Sequence, residues 1–468
     1  MLLIFSNLFP IKILFMQNSS LIRKISGVLF LAAAFSTVSA QNKSAYEMTI
    51  NGVKVIVQPS GNEIVQVLTV LKGGVQNFSA AKGGIEDLAM TALLECGTKN
   101  DSKNSWKNKL DKYSAYVGED AGRDFSTISL NCIKTDLDPV WPLYVDAITV
   151  PLFDSIEFGR MRQNDISIVK QEESGPDEGI AKMALETAFK GKDYAKPLLG
   201  NEETLTKLGA TETKNYYTSI LTRSRLLIVV VAELEKDAIE KMVKQLTANI
   251  PQGIPVKLNR YNFTPSKNTF AVQNKAVATN YIIGLTSGPQ PGSEDYNSFL
   301  IAMRIYSMKN FVEIRTNNGL SYAPQARFVP GLSPYTMISV STKNPDKYIE
   351  VNNNLLAKTH SQGFGDDDVK NAKTGFVTSF YSTMETNAAQ AASLATNEIL
   401  FNDWHRSLRI NEDMKKVSKE EVNKSFNKYV TDFSWVYQGD TSKVNPALYT
   451  AMPPASLPES KIKNDKKN

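Results

Sequence analysis

The sequence predicts an α+β protein of two homologous domains, each a mainly antiparallel sheet covered by helices. Stretches in which apolar and polar residues alternate are interleaved with stretches of helical spacing in both halves of the chain. The second half repeats the element order of the first, which indicates duplication. With 468 residues, of which 42% are hydrophobic, the chain is too long for one ordinary core.

The first half is expected to open with a hairpin, because residues 46–50 and 53–57 alternate on either side of Asn51-Gly52, a strong turn signal. Helical spacing then begins at Gly84 and ends at Gly97. The elements predicted for this half are strands at 64–71, 125–133 and 226–231, and helices at 84–95, 140–150 and 155–173.

The second half is expected to follow the same order after a linker rich in proline and poor in periodic apolar residues. Its predicted elements are strands at 279–285, 323–328 and 336–342, and helices at 294–316, 345–362, 367–401 and from 418 onward. The predicted boundaries are a first domain at 41–253, a linker at 254–272, a second domain at 273–447 and a tail at 448–468.

The N-terminus has the pattern of a secretory signal peptide. Arg23-Lys24 precedes the apolar run 25–35, and the small residues 38–40 then predict cleavage after Ala40. Translation from Met1 or from Met16 is compatible with this pattern. The apolar run is too short to span a bilayer, and no Cys follows it, so we expect an exported, periplasmic protein without a membrane anchor.

Charge and cysteine content exclude several classes of protein. Residues 1–40 contribute three positive charges and no negative one, so the net charge of +5 falls to +2 for the rest of the chain. Because positive and negative charges nearly balance, the chain lacks the excess of basic residues that is typical of nucleic-acid-binding proteins. Cys96 and Cys132 are the only cysteines; they could pair or stay buried as small hydrophobes, and they exclude a cysteine-based zinc site.

The helix at 84–95 lies in a distinctive frame, because a strand ending in Gly73-Gly74 and a short loop precede it and Gly97-Thr98-Lys99-Asn100 follows. This stretch resembles the region around the inverted zinc motif of the insulinase and processing-peptidase family. In active members, two His of H-x-x-E-H ligate zinc and the Glu activates the metal-bound water. The resemblance covers residues 46–430 and implies two domains that form half of a clamshell.

The zinc ligands themselves are missing. Counting forward from Gly84, the three motif positions hold Asp87, Met90 and Thr91. Counting back from Gly97, they hold Leu88, Thr91 and Ala92. The chain has two His in all, His360 and His405, both in the second half, so neither alignment supplies an imidazole.

The remaining carboxylates of this region do not replace the lost ligands. Glu86 and Asp87 are interpreted as surface carboxylates that stabilise the first turn of the helix. Residues 168–173 resemble the helix that delivers the third ligand, and Glu172 or Glu173 matches that Glu as a relic. The sequence therefore predicts no metal and no cofactor in this chain, and the resemblance implies zinc in a partner subunit.

The second half retains a different motif. Residues 315–322 reproduce the family's R-x-x-x-G-L-x-Y segment, with Arg315, Gly319 and Tyr322 at the fixed positions. In active relatives this Arg and Tyr hold the substrate carbonyl and the developing oxyanion, a role that suits preorganised donors. A structural alternative is that Arg315 caps a helix, Gly319 ends it in the left-handed conformation, and Tyr322 packs at a strand start.

A chain that lost zinc and kept Arg315 and Tyr322 resembles the non-zinc subunit of a two-chain peptidase. The resemblance implies a heterodimer in which this pseudo-peptidase binds extended peptide against the active site of a homologous zinc-bearing partner. The alternative is a peptide-binding or structural scaffold without a proteolytic role. An unconventional hydrolase is a weaker interpretation, because the sequence has no G-x-S-x-G elbow.

Overall fold

The computed structural model describes residues 44–451, apart from the side chains of residues 176–178, and these form eleven strands and fifteen α-helices. The strands are β1 (Tyr46–Ile50), β2 (Val53–Gln58), β3 (Ile64–Lys72), β4 (Tyr116–Ala121), β5 (Phe125–Ile133), β6 (Leu226–Val231), β7 (Thr269–Asn274), β8 (Asn280–Thr286), β9 (Gln325–Val329), β10 (Tyr335–Thr342) and β11 (Ser434–Gly439). The helices of the first half are α1 (Ile85–Glu95), α2 (Lys103–Lys112), α3 (Leu137–Thr149), α4 (Ser155–Ser174), α5 (Pro176–Ala188), α6 (Glu202–Lys207), α7 (Ala210–Ile220) and α8 (Lys236–Thr247). Those of the second half are α9 (Tyr296–Phe311), α10 (Pro345–Gln362), α11 (Asp366–Thr383), α12 (Asn387–Phe401), α13 (Arg406–Lys416), α14 (Lys419–Tyr429) and α15 (Pro446–Thr450).

The strands form two mainly antiparallel sheets with the same internal order. The first sheet is β1-β2-β6-β3-β5-β4 and the second is β7-β11-β8-β10-β9. In each sheet the last strand of that half runs parallel to one early strand, β2 or β7, and antiparallel to the next, β3 or β8. Apart from the added β1, the two sheets therefore share one topology, which confirms the predicted α+β class and the duplication.

The predicted hairpin between β1 and β2 is confirmed. Asn51 and Gly52 both have positive φ, 50° and 81°, which is the backbone conformation that a two-residue type I′ hairpin turn requires. Register pairs Ile50 with Val53 directly across the turn. Asn51 also donates from its side-chain amide to Thr247 Oγ1 at 2.9 Å, which holds the turn against α8.

The predicted helix at 367–401 is wrong in one respect, because the structure divides it into α11 and α12. The chain leaves the helical conformation after Thr383, and Thr386 begins the new helix as its N-cap by accepting a hydrogen bond from the Ala389 N–H at 3.1 Å. A threonine at this position satisfies a free N–H of the first turn. Helical spacing on both sides of the break hid it from sequence analysis.

Each half covers one face of the other half's sheet. The second-half helix α12 packs on β3 and β6 of the first sheet, where Leu394 and Ile399 join a buried cluster with Val229. The first-half helix α5 packs on β8 and β11 of the second sheet. An ion pair at 2.8 Å between Lys54 on β2 and the nearly buried Glu398 on α12 adds a polar contact between the halves.

The chain between the halves makes hydrogen bonds to both of them, for example from Arg260 to the Leu400 carbonyl at 2.6 Å. Residues 251–268 form neither helix nor strand, and β7 begins at Thr269, inside the range predicted for the linker. Asn259 and Tyr261 both donate to Asp193 Oδ2, at 2.8 and 2.9 Å. The domain boundaries themselves stay a prediction.

Parts of the predicted organisation lie outside the described residues, namely the signal peptide at 1–40 and positions 452–468 of the tail. Within 44–451, no helix is both long enough and apolar enough to cross a bilayer. Cys96 and Cys132 are both buried and unpaired, which decides between the two alternatives left open for them.

Candidate substrate-binding site

Helix α1 places the former zinc positions on two different sides. Met90, Leu88 and Ala92 are completely buried in the first core, although Met90 lies on a different side of the helix from Leu88 and Ala92, because α1 packs against α7, α4 and β4. Asp87 and Thr91 lie one turn apart on one face of the helix and remain partly accessible. The alignment counted from Gly84 is therefore the one that brings two motif positions to an accessible face.

Carboxylates surround this face of α1. Burial, followed by the nearby charges of Glu119 and Asp165, raises the pKa of Asp87 to about 7. Asp120 and Glu172 add to the negative surroundings. Thr91 Oγ1 donates to Glu119 Oε1 at 3.2 Å, so the hydroxyl contacts a carboxylate of the edge strand β4.

This donor set does not fit zinc. The ion prefers imidazole nitrogen and thiolate sulfur, and the residues around Asp87 offer carboxylate and hydroxyl oxygens. Among the side chains that the structure describes, no group of three or more His, Cys, Asp or Glu has an arrangement that could hold a metal ion. We therefore derive no chemical step through a metal bound to this chain.

The structure separates the two candidates for the relic third ligand. Glu172 is close enough to raise the pKa of Asp87. Glu173 Oε1 instead accepts from Lys182 Nζ of α5 at 2.8 Å. Glu172 is therefore the one that belongs to the region of the degenerate motif.

The interpretation of Glu86 as a surface carboxylate is wrong. Its side chain is fully buried, and it accepts hydrogen bonds from Ser126 Oγ at 2.5 Å, Tyr216 OH at 2.5 Å and Asn77 Nδ2 at 3.0 Å. Burial raises the pKa of Glu86, although these three donors act in the opposite direction. Asn77 in turn accepts from Arg225 Nη1 at 2.7 Å, so the carboxylate is the centre of a network that joins α1, β5 and α7.

The raised pKa of Asp87 predicts a pH-dependent gain in stability for Asp87→Asn. The folded pKa of about 7 exceeds the ordinary value of 3.8, so the folded chain retains a proton that the unfolded chain has lost between these values. Stability therefore falls as the pH rises through this window. The asparagine carries no charge and avoids the loss, which at pH 8 is worth as much as ~4 kcal/mol.

Melting temperatures measured from pH 4 to 9 check this expectation. The variant should melt a few degrees above the parent at pH 8 and together with it near pH 4. Asp111→Asn, which removes an exposed carboxylate on α2, is the matched control and should show no such divergence. A constant difference at every pH would contradict the assigned cause.

Arg315 and Tyr322 lie together at the end of α9. This helix continues into a π-helix, Val312–Asn317, which carries Arg315. An added residue per turn redirects the side chains that follow it, and such segments are frequent at functional sites. Gly319, with φ of 60°, ends the segment, and its N–H donates to the Arg315 carbonyl at 3.1 Å.

The guanidinium of Arg315 stacks on aromatic rings. Its Cζ atom lies 4.1 Å from the ring centre of Tyr322 and 5.0 Å from that of Phe311. It makes no hydrogen bond or ion pair with any of the described side chains or carbonyls, and the residue is half-buried. Tyr322 is 79% exposed, which differs from the packed position of the structural alternative, whereas the left-handed Gly319 agrees with it.

Sequence reasoning brought Arg315 and Tyr322 forward and missed two features beside them. Phe311, one turn before Arg315, completes the aromatic pair that orients the guanidinium. An i, i+4 pair of Phe and Arg on a helix is the signal that could have found it. The π-helix has no comparable signature, because its residues have ordinary helical spacing.

Comparisons with known proteins agree with this geometry. Residues 207–376 match the family described as the peptidase M16 inactive domain. The chain is also similar to the uncharacterized zinc protease YmxG of Bacillus subtilis strain 168, with 18% identity over 385 residues that cover 80% of this chain and 92% of the relative.

Solved structures show the same fold. A peptidase M16 inactive domain from Pseudomonas fluorescens superposes with a TM-score of 0.78 at 16% identity, covering 86% of this chain and 99% of that one. The periplasmic protease PqqL from Escherichia coli gives 0.74 at 16% identity, covering 85% of this chain and 46% of that one. Residues 207–376 thus match the inactive type of M16 domain, and the fold of the chain is that of the solved M16 inactive-domain structure.

Proposed function

We propose that this chain is the non-catalytic subunit of an exported zinc peptidase and supplies Arg315 and Tyr322 to peptide bound in a partner's active site. The observation that carries the proposal is the guanidinium of Arg315, which stacks on the ring of the exposed Tyr322 and has no polar partner among the described residues. These donors are held ready on a helix end, which suits the stabilisation of developing negative charge. Because only oxygen donors surround Asp87, we expect a homologous partner to bind the zinc.

The proposed location is the periplasm. The basic pair, apolar run and small residues before Gln41 support export with cleavage after Ala40. The structurally similar PqqL is a periplasmic protease, which agrees with that compartment. The bound substrate is an extended peptide, the class that peptidases of this family cleave.

The partner is tested by purifying the chain from its native source and identifying the companion. We expect a homologous chain with H-x-x-E-H to copurify in equal amount. Peptide hydrolysis should require both chains and should be lost on chelation. Recovery of this chain alone, or with companions that carry no zinc motif, would favour the scaffold function.

Metal content gives an independent prediction. The chain purified alone should contain less than about 0.1 zinc per molecule by elemental analysis, because carboxylates without imidazole or thiolate hold this ion weakly. The complex should contain about one zinc per pair of chains. One tightly held zinc in the isolated chain would contradict the interpretation of the region around Asp87.

A further inference from the structure

An apolar groove lies beside the Arg315 site, between α9 and the edge strand β9. Its volume is about 570 Å³, within the usual range for sites that enclose a ligand of several side chains. Its floor is apolar and is formed by Leu300, Met303, Met308, Phe311 and Phe328. Met308 is 65% exposed, so part of the apolar lining of the groove faces solvent.

Two arginines border this groove without a compensating acid. Arg304 on α9 and Arg327 on β9 both line it, and none of the lining residues is Asp or Glu. Neither guanidinium forms an ion pair with a side chain that the structure describes, and Arg304 contacts Ser379 Oγ at 3.1 Å through Nη2. Arg304 thus uses one donor on Ser379 and lies against Gly375 of α11, whereas Arg327 forms no hydrogen bond with a described residue. A guanidinium with free donors is suited to contact with a carboxylate.

The groove is continuous with the proposed substrate site. Phe311 forms part of the groove floor, and its ring also contacts the guanidinium of Arg315. Arg304, Arg315 and Arg327 therefore form a strip of three cations that no described carboxylate neutralises. A ligand that crosses this strip would gain from negative charge, and its apolar groups could cover the groove floor.

We infer that the groove binds an acidic peptide segment, with an apolar side chain on the floor and carboxylates on Arg304 and Arg327. This inference rests on the proposed function, since the same peptide would continue toward Arg315. Beyond the proposed function, the groove would give the site a preference for peptides with acidic residues on one side of the reacting bond. The charge and shape of the groove carry it, and no residue of the degenerate zinc region takes part.

Fluorescence anisotropy with two labelled synthetic peptides tests the inference on the full mature chain. One peptide alternates leucine and glutamate, and the other alternates leucine and lysine at equal length. The glutamate peptide should bind at least about tenfold more tightly at low salt, and this advantage should shrink as salt screens the charges. Equal affinity for both peptides would overturn the inference.

Charge-reversal variants locate the binding. Arg304→Glu combined with Arg327→Glu should weaken the glutamate peptide about tenfold or more, while Met308→Gln should weaken both peptides to a similar, smaller extent. Lys267→Glu makes the same kind of charge change at an exposed site in the chain between the sheets and should change affinity by less than about twofold. Unchanged binding in the double variant with native melting temperature would overturn the inference.

A second copy of this chain is the competing occupant, because its carboxylates near Asp87 could meet the arginines. Sedimentation equilibrium decides this case. A dimer that the double reversal dissolves, with no peptide binding by the parent, would overturn the peptide assignment. Failure of the proposed function is separate: Arg315→Ala would then leave turnover of the complex unchanged while the glutamate peptide still binds the groove.

Discussion

In a complex with the zinc-bearing partner, Arg315→Ala is expected to lower kcat/KM about tenfold to a hundredfold. A charge-assisted hydrogen bond to the reacting carbonyl is worth roughly 1.5–3 kcal/mol, and this bond is lost with the guanidinium. Folding should be almost unaffected, because the side chain stacks on Tyr322 and Phe311 and makes no buried polar contact. An exposed cation–π contact is worth only about 0.5–1 kcal/mol.

Tyr322→Phe separates the hydroxyl from the ring. The ring continues to support Arg315, so removing one neutral hydrogen bond of roughly 1 kcal/mol predicts about a fivefold loss of turnover. Tyr381→Phe, at a tyrosine that is 64% exposed on α11, is the matched control and should leave the rate unchanged. Arg315→Lys tests the fork, since it retains the charge and loses the planar donor set.

Rate and melting temperature must be measured together. If Arg315 and Tyr322 serve only the fold, their variants should melt earlier and assemble poorly, and each properly assembled complex should keep its normal rate. A folded, assembled double variant with unchanged turnover would contradict the substrate-binding role and place the scaffold function ahead.

The parts of the fold that sequence analysis predicted are those with local causes. Asn51-Gly52 between alternating residues specifies the first hairpin, and a run of six apolar residues specifies the buried strand β6. Repetition of the same local signals in the second half was enough to predict two sheets. These signals need no knowledge of distant contacts.

The parts that sequence analysis missed depend on distant partners. The burial of Glu86 follows from Ser126 and Tyr216, which lie 40 and 130 residues further along the chain. Helix α5 packs on the second sheet and α12 packs on the first. This arrangement likewise has no local signature, because the sequence of an amphipathic helix does not reveal which sheet it covers. For the same reason the motif identified Arg315 and Tyr322, whereas the groove with Arg304 and Arg327 required β9 to be placed beside α9.

Glu86 and Asp87 are neighbours in sequence, and their removal should have opposite effects on stability. Glu86→Ala is expected to destabilise the fold by about 3–5 kcal/mol, because the hydroxyls of Ser126 and Tyr216 and the amide of Asn77 lose their shared acceptor. A cavity at a fully buried position adds to that cost. Asp87→Asn instead removes a charge that its surroundings oppose.

Denaturant unfolding measures the cost of Glu86→Ala, provided that the slope of the transition is unchanged. Glu86→Gln provides the control, since it retains the side-chain shape and one acceptor oxygen and should cost clearly less than Glu86→Ala. Tyr216→Phe removes one donor of the network and should cost about 1 kcal/mol. In the Glu86→Ala background this second change should cost much less, because the hydroxyl has already lost its acceptor. Additive losses in the double variant would mean that the two side chains act separately and that the carboxylate is not the centre of the network.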